Sequence, residues 1–437
     1  MTATQTNLSP PESALASIAG VDIASGGESP RQRLARRTLE IGLFCLPAML
    51  ISTPLGLSPF AALAIIAVAL SPAGIAQAWR DIGRELRWLI AMVAFAAVVV
   101  LFSKLHFDVR WREVDTRLRL LTLPFFALMV YAYRPSRRWL WAGALVGLAG
   151  AFGVALYQLG TGLDRVLGWT ANAIVFADAL IALIVVAVFS RPPGELLWTT
   201  LACALGIGAV AFTGSRGVWP GVAIVMLVGL IVSGGRARKL SWAVLAVLAL
   251  GLVASLWVPQ LAQQMRVQEL VSDVDRVQKG NDHESSLGAR MTLLQLASDT
   301  VMQHPLTGIG VSSFEKVVRA SPQCAPPAPR IGFCKLAHAH SDAFEWAATM
   351  GVPGLIAILA IYLVPLVLFA RRLRALANRR SRSTALAGLV LVLVYIVCGL
   401  TQSMFAHQLI ASFYAVMVGV MYGFSVRESR EAALAAR

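Results

Sequence analysis

Two histidines one residue apart, His338 and His340, with Asp342 just beyond them, are the strongest candidates for proton chemistry in this chain. An imidazole titrates near pH ~6.5 and can take a hydroxyl proton close to neutrality. Residues two apart in an extended segment project to the same side, so both rings can serve one site. Asp342, or Ser341 as the cap of a following helix, can orient one of them. Two arginines supply the opposite character. A guanidinium presents a planar fork of donors suited to phosphate. Arg216 lies in Thr213-Gly-Ser-Arg-Gly-Val-Trp219, where Gly214 and Gly217 let backbone approach a ligand closely. A lone arginine at a membrane edge also snorkels, so the charge by itself does not decide. Arg290 stands in the first turns of a predicted helix whose apolar stripe would dock it, against the alternative of a solvated arginine. A base beside fixed cations suits transfer of a group away from a phosphate leaving group.

These residues must be held by a chain that is 57% hydrophobic and 14% charged over 437 residues, with mean hydropathy +0.69. Soluble domains carry about 25% charged residues, so the sequence predicts an all-α polytopic membrane protein. About twelve apolar runs read as spans: Leu39–Leu55, Pro59–Ala76, Trp88–Ser103, Leu118–Tyr133, Leu140–Leu159, Ala171–Ser190, Leu196–Phe212, Val218–Ser233, Leu240–Trp257, Ala343–Ala370, Thr384–Leu400 and Leu409–Phe424. The organisation expected is a polar tail over 1–38, nine spans over 39–258, one long loop over 259–342, three spans over 343–424 and a tail over 425–437. The start, Met1 to Ser29, is polar and reads as a disordered cytoplasmic tail, not a cleaved signal peptide.

Basic residues set the orientation, because cytoplasmic connections are enriched in them. Arg31, Arg33, Arg36 and Arg37 precede the first span, and every second connection afterwards is basic: Arg80/Arg84/Arg87, Arg134/Arg137/Arg138, Arg191, Arg236/Arg238/Lys239 and the cluster from Arg371 to Arg382. Both ends then lie inside and the long loop outside. The net charge of +15 is spread between apolar runs, the pattern of topology and lipid-headgroup contacts and not of a nucleic-acid partner. One outer connection breaks the rule. Lys104 to Arg119 carries Arg110, Arg112 and Arg117, read either as an interfacial amphipathic helix neutralised by Asp108, Glu113 and Asp115 or as contacts to phosphate or an anionic acceptor.

Within the long loop, Pro259 to Gly280 has helical spacing, and Ser285 or Ser286 caps a second helix that ends before Pro305. Cys324 and Cys334 can pair in an oxidising compartment, while Cys45, Cys203 and Cys398 sit in apolar runs. No cluster of metal ligands is visible, and no cofactor is expected. Asp178, inside a span, reads as a structural hydrogen-bonding group. His106, His283, His304 and His407 are read as structural or solvated.

The run Arg290-Met-Thr-Leu-Leu-Gln-Leu-Ala-Ser-Asp-Thr-Val-Met-Gln-His304-Pro305-Leu306-Thr-Gly308-Ile-Gly310 resembles the family of O-antigen ligases and related polysaccharide polymerases. His340-Ser341, nine residues and then Gly351-Val-Pro-Gly354 is similar to that family's signature, and Arg216 matches a family arginine. The resemblance covers mainly Thr213 to Gly354. It implies a membrane-embedded, metal-independent, inverting glycosyltransferase of the bacterial inner membrane with its site facing the periplasm. The donor implied is a glycan on undecaprenyl pyrophosphate, and the acceptor is a sugar hydroxyl of lipid A-core. Arg216 and Arg290 would bind the pyrophosphate. His338 is the expected base, with His340, the residue in the signature, in the same site. A polymerase or a protein O-oligosaccharyltransferase would use the same donor. A transporter fits the span count but not the single long loop, since transport folds commonly repeat.

Overall fold

The computed structural model describes residues 29–232, seven positions between 234 and 250, and residues 285–324, 332–375 and 379–435. The ninth expected span is described only at Trp242, Ala246 and Leu250, and the first loop helix and His283 lie outside the described residues. Among the described residues the chain is helical, with no strand: α1 Pro30–Met49, α2 Ser58–Leu70, α3 Pro72–His106, α4 Trp111–Leu118, α5 Leu123–Tyr133, α6 Arg137–Gly160, α7 Ala173–Phe189, α8 Leu196–Phe212, α9 Trp219–Val232, α10 Ser286–Gln303, α11 Phe314–Ala320, α12 Asp342–Ala375, α13 Arg379–Gly399 and α14 Gln408–Ala435.

Five of these are long and apolar enough to cross a membrane: α3, α6, and the stretches Asp342–Arg374, Arg380–Gly399 and Gln408–Ala435. Shorter apolar helices accompany them. Large side chains such as Ile65, Val98, Phe102, Leu105 and Ile231 point out of the bundle. An apolar exterior of that extent belongs against lipid, and the chain is a multi-pass membrane protein. Helices apolar all round go to the middle of such a bundle. Every residue of α14 from Ile410 to Glu428 is buried, and α7 is buried along almost its whole length.

Several boundaries differ from those expected. Ser29 and Gln32 cap each other's backbone around Pro30, so α1 starts ahead of its apolar run. Pro72 ends one helix and begins the next, leaving α2 at 13 residues. α3 then runs 35 residues, through Arg80, Arg84 and Arg87, where a connection was expected. The chain from Leu118 to Tyr133 is divided, with α4, a 3-10 turn over Arg119–Thr122 and α5 in place of one span. α14 continues through the expected C-terminal tail, its end held by Arg380 to Glu428 at 2.9 Å and Arg430 to Glu85 at 2.7 Å.

The long loop packs its own small core. Leu293 and Ala297 of α10, Phe314 and Val318 of α11, Phe333, Ala339 and Ala348 are buried together. Cys324 and Cys334 are joined in a disulfide, Cα–Cα 5.5 Å. Ser285 is the residue that caps α10, accepting from the Gly288 N–H at 3.0 Å.

This unit is fastened to the bundle where α12 is interrupted. Gly351 has φ 68° and ψ −163°, a combination essentially confined to glycine. The Ala348 and Thr349 carbonyls accept from the N–H groups of Ile309 and Gly310, and Val352 donates to the Pro305 carbonyl. The two segments that carry the family resemblance are therefore each other's hydrogen-bonding partners. A Cβ at Gly351 would also lie 2.6 Å from the Pro305 oxygen. Gly351→Ala is expected to destabilise the protein by at least ~1–3 kcal/mol, seen as a lower thermal midpoint in detergent.

Candidate functional site

Where the loop enters α12, the backbone turns sharply, with His340 in a left-handed conformation at φ 52°. Non-glycine residues held this way store strain and concentrate at functional sites. The turn projects His338, half-buried, toward Glu345, one turn into α12. His338 Nδ1 lies 3.5 Å from Glu345 Oε1, and the other carboxylate oxygen accepts from the Ala339 N–H at 2.8 Å. Glu345 is fully buried, while 31% of the His338 side chain is exposed.

The same carboxylate oxygen also faces Arg117 of α4, Nη2 to Oε1 3.7 Å. Arg117 also donates to Ser312 Oγ at 2.9 Å, and its guanidinium lies over the Trp346 ring. Burial lowers the Arg117 pKa against the support of Glu345, Asp342 and Glu113. Arg117 was expected at the interface or among acceptor and phosphate contacts. It is instead buried and engaged internally. Asp342, a second possible contact, is also spent inside: it accepts from the Tyr362 hydroxyl at 2.6 Å and the Phe405 N–H at 3.1 Å. Arg110 and Arg112 are exposed on the surface of the same connection.

A third wall comes from the turn between α13 and α14. The His407 ring meets His338 edge-on at 5.7 Å, and its Nε2 is 2.9 Å from Gln402 Nε2. The amide donates there, which fixes His407 as the Nδ1–H tautomer. His407 thus belongs to the cluster, a placement that a lone histidine near a turn did not signal. Burial pushes His340 and His407 down to about 4, helped at His340 by the nearby Arg290 guanidinium.

That depression ties stability to pH. An unfolded histidine binds its proton near pH ~6.5, but these two do so only near 4. Between those values the unfolded chain holds more protons, so stability is present above about 6.5 and falls as pH drops toward 4. The thermal midpoint in detergent is expected to drop by on the order of 5 °C between pH 7.5 and 5, and by less in His407→Gln.

The two arginines arrive on separate elements. Arg290, Leu293 and Ala297 share a face of α10, and that face packs on α12. This brings the Arg290 charge within reach of His340. Arg216 opens the 3-10 turn Arg216–Val218 between α8 and α9. Arg165 braces that turn, donating from Nε to the Thr213 carbonyl at 2.6 Å and from Nη2 to Ser215 Oγ at 3.2 Å. Gly217 sits against Thr401, next to Gln402. A Cβ there would lie 2.7 Å from the Thr401 hydroxyl oxygen, so the close approach needs glycine. The Arg216 turn therefore adjoins the turn that carries Gln402 and His407. Among the described residues, no group of three His, Cys, Asp or Glu side chains is arranged to hold a metal ion.

A helical membrane protein with a carboxylate-backed histidine at one end of its bundle, Arg290 within electrostatic reach of His340 and the Arg216 turn against Thr401, is the arrangement observed. Residues 201–359 match the family model for O-antigen ligase, and this segment of the chain is similar to that family. The matched segment holds Arg216, Arg290, His338, His340 and Glu345, whereas Arg117, Gln402 and His407 lie outside it. A Haemophilus influenzae protein described as uncharacterized is 26% identical over 216 residues, 48% of this chain and 53% of the relative. The chain thus spans about half the length of the curated relative it matches.

Proposed function

We propose that the protein transfers a glycan from undecaprenyl pyrophosphate to a sugar hydroxyl of lipid A-core, with the site on the periplasmic side of the bacterial inner membrane. The observation that carries this reading is the His338–Glu345 pair, with Arg290 within electrostatic reach of the neighbouring His340. Glu345 orients the His338 ring through Nδ1, leaving Nε2 for the acceptor hydroxyl. The hydroxyl oxygen attacks the anomeric carbon and its proton passes to Nε2. The bond from that carbon to the pyrophosphate oxygen breaks, and the electron pair leaves with undecaprenyl pyrophosphate. Arg216 and Arg290 meet the negative charge that grows on the departing oxygen.

His340 has a different part. Its depressed pKa keeps it neutral at working pH, so it serves better as a hydrogen-bonding neighbour than as the proton acceptor. Exposed Arg110 and Arg112 are suited to phosphates on an incoming acceptor. Attack opposite the leaving group inverts the anomeric centre. The test is the anomeric configuration of the new linkage, read by NMR on product from protein reconstituted with defined donor and acceptor. Inversion is expected, and a retained configuration contradicts direct attack. A polymerase reading shares this donor and chemistry, and the identity of the acceptor separates the two.

A further inference from the structure

The far end of α3 carries a second charged feature that the glycan chemistry does not use. Ser103, near the C-terminus of α3, accepts at Oγ from the Val311 N–H at the histidine end of the bundle. Residues near 84 are therefore about 30 Å away along the helix. Here Trp79, Arg80, Gly83, Arg84, Arg87 and Ile90 line an open groove of about 590 Å³. Arg80, Arg84 and Arg87 recur at helical spacing on one exposed face.

Of the acids on the same turns, Glu85 pairs with Arg430 at 2.7 Å and with Arg372 at 3.6 Å, and Asp81 accepts from Gln77 at 2.9 Å. Arg80 donates to Gln77 at 2.7 Å, and Arg87 lies over the Trp88 ring at 5.5 Å. Among the described residues no carboxylate lies within salt-bridge distance of the three arginines. Trp79 and Trp88 are exposed beside them, and amphipathic aromatics of this kind settle at the headgroup level of a bilayer. Gly83 has no side chain to fill the groove, and the Trp79 ring lies across it. Beyond Arg87 the helix turns apolar through Ile90, Ala91 and onward to the lipid-facing Val98 and Phe102.

Cations over an apolar floor, at the border of the hydrocarbon, match one ligand chemistry. We propose that this groove is a binding site for an anionic glycerophospholipid, its phosphodiester held by Arg80, Arg84 and Arg87 and its acyl chains laid along Ile90 and the outer face of α3. Each guanidinium forks onto phosphate oxygens, and the acyl chains account for the apolar floor, which free phosphate would leave uncovered.

The test uses the full-length protein in detergent, titrated with phosphatidylglycerol, phosphatidylcholine or inorganic phosphate and read by native mass spectrometry. Phosphatidylglycerol is expected to bind in preference to phosphatidylcholine. That binding should fall roughly tenfold or more in R80Q/R84Q/R87Q. A second variant, Gly83→Leu, keeps every charge and should also lose lipid by filling the groove. A control, R371Q/R374Q/R382Q, removes equal charge outside the groove and should retain the lipid. Unchanged phosphatidylglycerol binding in the groove variants overturns the proposal, as does an equal loss in the control. Displacement by millimolar inorganic phosphate assigns the arginines to free phosphate and overturns it as well.

Discussion

His338→Ala should lower glycan transfer by about 10²- to 10⁴-fold while leaving the thermal midpoint in detergent close to that of the parent. The ring is partly exposed and makes one polar contact, to Glu345, so its loss costs little packing. Glu345→Gln is the sharper companion. It keeps an oxygen to accept from the Ala339 N–H but removes the negative charge that steers Nδ1 and balances Arg117. A large rate loss is expected, on the order of 10²-fold or more, with the pH–rate profile moved because the base loses its anionic neighbour. Glu345 is buried against Arg117, so this variant also loses stability, by up to ~3–5 kcal/mol. The shifted profile of the folded fraction distinguishes a role in orienting the base from mere destabilisation. His340→Ala should also abolish transfer, by collapsing the strained turn that carries both rings. Full transfer by His338→Ala and His340→Ala together would remove the histidines from the chemistry.

The second large effect concerns the cations. Arg216→Ala and Arg290→Ala are each expected to cut turnover of the lipid-linked donor by about 10²- to 10³-fold, the scale of losing one preorganised donor to a developing oxyanion. Arg290→Lys keeps the charge but not the fork and should recover only part of the loss. The readout is kcat/KM for the donor at saturating acceptor. Undiminished donor turnover in both alanine variants would detach the arginines from the pyrophosphate.

Much of this site was legible in the sequence because its parts are chemically unusual for a membrane chain. The His338/His340 pair, Arg216 and Arg290 stood out as polar groups among apolar runs. The start of α10 behind a cap at Ser285 or Ser286 and its end before Pro305 followed from cap and proline chemistry. Glu345 was not legible. It lies inside an apolar run that reads as a span, and only the positive φ of His340 folds the histidine back onto it. Arg117 looked like an interfacial charge because its partners, Ser312 and Glu345, are distant in sequence. Gln402 and His407 joined the cluster through the turn from α13 to α14, a long-range contact with no local signature.

Helix boundaries failed for related reasons. Hydropathy runs report which residues avoid water, not where backbone hydrogen bonding stops. α3 continues through three arginines because they project from one face of an unbroken helix. The glycines of the Gly308–Gly310 and Gly351–Gly354 segments were visible as motifs. Their purpose was not, since it is a set of hydrogen bonds between the two.

The most direct measurement is the mass of the product formed when the purified protein, in proteoliposomes, is given an undecaprenyl-pyrophosphate glycan and lipid A-core together. Lipid A-core heavier by one glycan, with equimolar undecaprenyl pyrophosphate released and neither formed by His338→Ala, is the predicted result. Unmodified lipid A-core alongside a lengthened lipid-linked glycan, or transfer that persists in His338→Ala, would contradict it.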